Sequence, residues 1–164
     1  MGETMAEASM ASTALEQDWT ERILEDDEAL RTVLSEAKRI AVIGIKDESR
    51  SFEPAHYIAR YLKDAGYTVD GVNPGVSETL DLEIVDSIGD LEGPIDIVDI
   101  FRRSEAIPEH TREILAMPVL PKVVWLQLGI RHDEAARSLA EAGILVVQDR
   151  CILVEHRRLV DRRR

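Results

Sequence analysis

Four short groups of residues in this chain combine a turn with polar or cationic side chains. They are Gly44-Ile45-Lys46, Asn73-Pro74, Phe101-Arg102-Arg103 and Leu126-Gln127-Leu128. Each closes an apolar run, the pattern of a buried strand reaching its C-terminal end. Beyond Gly44 the chain turns towards a helix, whose free N–H groups and dipole favour a phosphate. Lys46 and Arg50 add positive charge to that loop, and the Arg102-Arg103 pair can attract a phosphate as well. A glycine after a first strand is weakly specific, because close packing alone often requires one. The cluster of four polar strand ends is the stronger signal, and it points to a phosphate-bearing ligand.

Other reactive side chains form no recognisable constellation. His56 lies in the first turn after the phosphate loop, where ligand contact, helix capping and a surface position are all open. His110 and His132 read as surface residues, and His156 fits a structural contact as well as a functional one. No His/Cys/Asp/Glu grouping has metal-ligand spacing. Ser49 and Ser51 belong to no evident Ser/His/Asp arrangement. Cys151 follows Arg150, a neighbour that could make a thiol reactive. A small buried thiol is the plainer reading, with a mixed disulfide to a thiol ligand as the sharper one.

These groups need elements to hold them. Leu30, Val33, Leu34 and Ala37 share a helical stripe that Asp26 or Asp27 can cap, and Trp19 and Ile23 extend it upstream. Strands are expected over 40–44, 67–72, 95–101, 122–126 and 144–147. Helices are expected over 54–65, within 105–117, and from an Asp133 cap to Gly143. Pro54 suits a first helical turn and Gly66 a helical stop. Residues 76–93 admit a loop, a short strand or a helical turn. Alternating strands and helices imply an α/β Rossmann-like, doubly wound parallel sheet of about five strands, in the order 3-2-1-4-5. In such a sheet ligands bind beyond the strand C-termini, where the four polar groups lie.

The net charge of −12 does not argue against an anionic ligand, because it is unevenly spread. Residues 1–36 hold ten acidic and two basic residues, whereas the remainder is nearly balanced. The chain therefore divides into an acidic arm at 1–36 with a disordered start, a domain at 37–160 and a basic tail at 161–164. No broad basic face with interleaved aromatics marks a nucleic-acid partner. No apolar run approaches the roughly 20 residues that cross a bilayer, and no secretory signal precedes the domain. A single cysteine fits a reducing compartment, so the cytoplasm is expected.

NAD is the obvious competing ligand, and two details disfavour it. Only Gly44 remains of a G-x-G-x-x-G pattern, and the second strand ends in Val72-Asn73-Pro74 without the expected acid. Asp70 lies too early in the strand to hold a ribose.

The segments IAVIG at 40–44, PAHYIARYLKDAGY at 54–67, VNP at 72–74 and DIVDIFRR at 96–103 occur in order. VWLQLGI at 124–130 and AGILVVQDRCILVEHRRL at 142–159 follow them. In these features the chain resembles the small CoA-binding domain proteins, relatives of the N-terminal domain of succinyl-CoA synthetase α subunits. The resemblance implies a coenzyme A or acyl-CoA site across the strand ends. Gly44-Ile45-Lys46 would face the pyrophosphate, and Asn73-Pro74 and Phe101-Arg102 would flank the adenosine end. Arg102 or Arg103 would offer a phosphate its guanidinium fork. Leu126-Gln127-Leu128 would border the pantetheine arm.

The first loop departs from the ligase pattern. It is not glycine-rich and carries two acids, and Val76 stands near the ligase lysine position. The ligase phosphohistidine belongs to a domain absent from this sequence. The expectation is a CoA-binding carrier, sensor or partner module without a catalytic group, alone, as a homodimer or beside a larger enzyme. A CoA-dependent enzyme using His56 or Cys151 is the alternative, as is a nucleotide-binding regulator.

Overall fold

Arg39–Ile43 forms β1, a strand whose four apolar residues are all buried. Both of its neighbours run parallel to it: β2 (Thr68–Val72) and β4 (Ile97–Ile100). The computed structural model describes residues 19–161, and the order along the sheet is β3-β2-β1-β4-β5-β6. The remaining strands are β3 (Glu83–Val85), β5 (Val123–Leu126) and β6 (Leu145–Val147). This is the doubly wound parallel sheet, with the order 3-2-1-4-5 extended by a sixth strand. The third place belongs to the short β3, inside the stretch 76–93 that the sequence leaves open. The strand expected over 95–101 is therefore the fourth.

Helices cover both faces. On one side lie α1 (Asp27–Glu36), α2 (Pro54–Asp64) and a C-terminal α5 (Ile152–Leu159). Their buried residues Leu30, Leu34, Ile58, Leu62 and Ile152 pack with Val42, Ile97, Trp125 and Val147 of the sheet. On the other side α3 (Ile107–Leu115) and α4 (Asp133–Glu141) bury Ile114, Leu139 and Ala140 against Ile43, Val98, Ile100 and Val124. Strands covered on both faces read as continuous apolar runs, which is why they are visible in the sequence.

Two local expectations are corrected, and one open alternative is resolved. Trp19 and Ile23 do not extend the α1 stripe: they pack on the α3/α4 side, and Ile23 bridges Val146 at the edge of β6. The α4 cap is His132, whose Nδ1 accepts the Ala135 N–H at 3.1 Å, with Asp133 the first helical residue. Of the two candidate caps for α1, Asp26 is the one used, accepting the Ala29 N–H at 2.7 Å. The expected disordered start at 1–12 and the tail at 162–164 lie outside the described residues. Among the described residues no helix is long and apolar enough to cross a membrane.

Candidate functional site

Parallel register brings the polar strand ends to one edge, and backbone hydrogen bonds hold them in a row. Asn73 N–H donates to Val85, Gly44 to Val72, Phe101 to Ile43, and Gln127 to Ile100. Above this edge, on the α2/α5 side, opens a cleft of about 470 Å³. Lys46, Phe101, Arg102, Arg103, Gln127 and Leu128 all line it. The start of α2 supplies Glu53, Pro54, Ala55, Tyr57 and Ile58, and Ile130 and Cys151 complete the wall. The cleft therefore offers three cations and an apolar surface together.

The other candidate residues are placed elsewhere. Gly44 has φ of +89°, and a Cβ there would lie 2.5 Å from the Phe101 carbonyl oxygen. It lets the first loop and the end of β4 approach closely, a supporting role under the cleft. Ile45 is fully buried in the α2/α5-side core, and Leu126 is equally buried on the opposite side. Asn73 ties the loops together: its Nδ2 donates to the Ile45 carbonyl at 2.8 Å, and its Oδ1 accepts the Gly75 N–H at 2.9 Å. Pro74 is exposed beside it. Arg50 pairs with Glu53 rather than pointing into the cleft.

The histidines divide differently from the expectation. His56 is completely buried, neither a surface residue nor a cap. Its Nε2 lies 3.3 Å from a Glu48 carboxylate oxygen, outside hydrogen-bonding geometry, and it does not line the cleft. His156 is structural, with Nδ1 2.7 Å from the Tyr61 hydroxyl and edge-on contacts to Tyr61 and Tyr67. His110 is half-buried, and that burial lowers its pKa.

The two acids of the first loop turn away from the cleft. Asp47 caps the following 3-10 turn (Glu48–Arg50), accepting the Ser49 N–H at 3.0 Å, and the Ser49 hydroxyl bond holds its carboxyl below the usual range. Asp47 and Glu48 line a separate recess of about 350 Å³ together with Glu78 and Asp81. Lys46 faces the main cleft while the acids face that recess, so the loop presents opposite charges on opposite sides.

Behind the cleft, two loops are stitched side chain to backbone. Trp125 Nε1 donates to the Arg150 carbonyl at 2.8 Å. Gln127 Oε1 accepts the Ile152 N–H at 3.0 Å. Asp149, at φ of +56°, accepts the Gly129 N–H at 2.7 Å. The sequence patterns WLQLG and DRC are thus two halves of one structure. It sets Cys151 as the N-cap of α5, with its side chain in no capping hydrogen bond. Nothing in the sequence assigned α5, since Glu155 and His156 are buried on it and interrupt an apolar stripe.

The chain is thus a parallel α/β sheet with a cationic, partly apolar cleft at its C-terminal edge, the place where ligands bind in open α/β sheets. Residues 38–157 match the family described as CoA binding domain, and the chain belongs to that family. YneT of Bacillus subtilis (strain 168) is 39% identical over 127 residues, 77% of this chain and 91% of its own length. A Thermus thermophilus protein of known structure, cell-free ID.343, is 48% identical with a TM-score of 0.76, over 82% of this chain and 99% of that one. A hypothetical protein from Pyrococcus horikoshii OT3 is 31% identical with a TM-score of 0.76, over 84% and 94%.

The cleft suits a coenzyme of this kind in two respects. Lys46, Arg102 and Arg103 bring positive charge to one wall, as an anionic ligand requires. Tyr57, Ile58, Phe101 and Leu128 give an elongated thiol-bearing arm a largely apolar wall.

Proposed function

We propose that the chain binds coenzyme A or an acyl-CoA in the cleft over β1, β4 and β5, as a carrier, sensor or partner module. The observation that carries this reading is the meeting of Lys46, Arg102 and Arg103 with an apolar wall in one cleft. The cations suit the phosphates and the wall suits the pantetheine arm, with Gln127 and Leu128 beside it. Membership of the CoA binding domain family supports the choice of ligand.

The competing NAD reading lacks support in the residues beside β2. Asn73 spends its side chain on Ile45 and Gly75, and Asp70 is held by Arg39 at 2.6 Å. Neither is left to hold a ribose diol. A catalytic role through His56 has the same weakness, because that ring is sealed beneath the first loop. The reading includes a reducing, cytoplasmic setting and assembly as a homodimer or with a larger enzyme.

Calorimetry with CoA, acetyl-CoA, NAD and ATP tests the proposal. A CoA species should bind most tightly, and tighter binding of NAD would overturn it. Native mass spectrometry of freshly purified protein reads bound ligand and subunit count together.

A further inference from the structure

Cys151 stands in the wall of the cleft, at the end formed by the β5 and β6 loops. It is half-buried, and it also borders a second cleft lined by Arg131, Gln148 and Arg150. Cys151 thus borders both clefts. Beside it Gln127 is only 4% exposed and lines the same cleft. The Oε1 of Gln127 is taken by the N–H of Ile152, the residue after Cys151. Its Nε2 has no partner among the described residues. The free amide end of a largely buried side chain therefore borders the cleft next to the only thiol in the chain. A ligand that offers a carbonyl to that donor and carries sulfur at its end would satisfy both groups.

We propose that Cys151 captures coenzyme A covalently, by thiol–disulfide exchange with coenzyme A disulfide, so that the cleft is a redox-dependent trap. This rests on the cleft being the CoA site. The Cys151 sulfur, as thiolate, attacks one sulfur of the disulfide. The new bond joins Sγ to that sulfur, the original S–S bond breaks, and one CoA thiolate leaves. The proton lost by Cys151 is regained by the departing thiol. One disulfide is consumed and one formed, so no further oxidant is needed. The donor on Gln127 holds an amide carbonyl of the arm, and the fixed start of α5 holds the sulfur. A reductant of the thiol class reverses the step.

Intact-mass spectrometry of the full chain, mixed separately with coenzyme A disulfide and glutathione disulfide, tests the trap. Calorimetry with CoA under reductant tests the site itself. The trap predicts a single CoA adduct, removed by reductant, forming at least about tenfold faster than the glutathione adduct. Its rate should saturate with coenzyme A disulfide and fall in Arg102→Ala. Equal rates for the two disulfides, or no CoA adduct, would overturn the trap. If reduced CoA still binds in that case, the CoA site stands without it. If reduced CoA does not bind and the rates are equal, both fall.

Discussion

Gly44 and Phe101 approach so closely that a Cβ on the glycine would stand 2.5 Å from the phenylalanine carbonyl oxygen. Replacing Gly44 with Ala therefore forces both a left-handed φ and a backbone clash. Gly66 is the internal control, with φ of +107° and nothing within 4 Å of a Cβ. Gly66→Ala should cost about 1–2 kcal/mol, the conformational penalty alone. Gly44→Ala should cost clearly more and displace Arg102 from the cleft. Denaturant unfolding gives the stabilities, and calorimetry with CoA the effect on the site.

The cations differ in their availability. Arg102 lines the cleft, whereas Arg50 is exposed, does not line it and is paired with Glu53. Arg102→Ala should weaken CoA about tenfold to a hundredfold, as loss of a hydrogen bond to a charged group does. Arg50→Ala should change affinity by no more than about twofold. Equal effects in a titration of the two variants would mean that the phosphates lie over the first loop instead.

Gln127 is expected to matter for stability as well as for binding. Gln127→Leu strands the Ile152 N–H beneath the start of α5, at a cost of about 1–3 kcal/mol. Gln127→Glu keeps the acceptor and should retain the protection of that amide. Hydrogen exchange at Ile152 separates the two, since only the Leu variant should exchange faster there.

Asp99 gives the protein a pH dependence of its own. It is fully buried on β4 with neither carboxylate oxygen hydrogen-bonded, and burial raises its pKa well above the usual value. The folded state therefore holds a proton that the unfolded chain releases above about pH 4. Its contribution is fully present below that pH and is lost as pH rises towards the folded pKa. Asp99→Asn removes this dependence, so the variant should gain on the natural protein as pH rises above about 4, with a constant difference below that pH. Unfolding midpoints across that range check the sign, and parallel curves would rule the mechanism out.

The sheet was legible because strands buried on both faces are unbroken apolar runs, as in IAVI and VVWL. β3 was not, since Glu83-Ile-Val85 is too short to show a period and is only partly buried. The cleft was legible in part for a topological reason: parallel strands end on one edge, so Lys46, Phe101, Arg102, Arg103, Gln127 and Leu128 had to be neighbours. Side-chain direction was not accessible in the same way. Ile45 and Leu126 lie at strand ends but point into the two cores, and Asn73 turns back to bind its own loops. The contributions of Glu53, Pro54, Tyr57 and Ile58 come from the first turn of α2. A phosphate loop that leads into a helix N-terminus is the signal that could have found them.

The stitching of Trp125, Gln127 and Gly129 to Arg150, Ile152 and Asp149 has a thermodynamic consequence. Loops that are ordered by their own hydrogen bonds have already lost their conformational entropy when the chain folds. A ligand arriving between them need not supply that ordering, so more of its contact energy is expressed as affinity. This end of the cleft should therefore behave as a preorganised mould, with nearly the same backbone before and after binding.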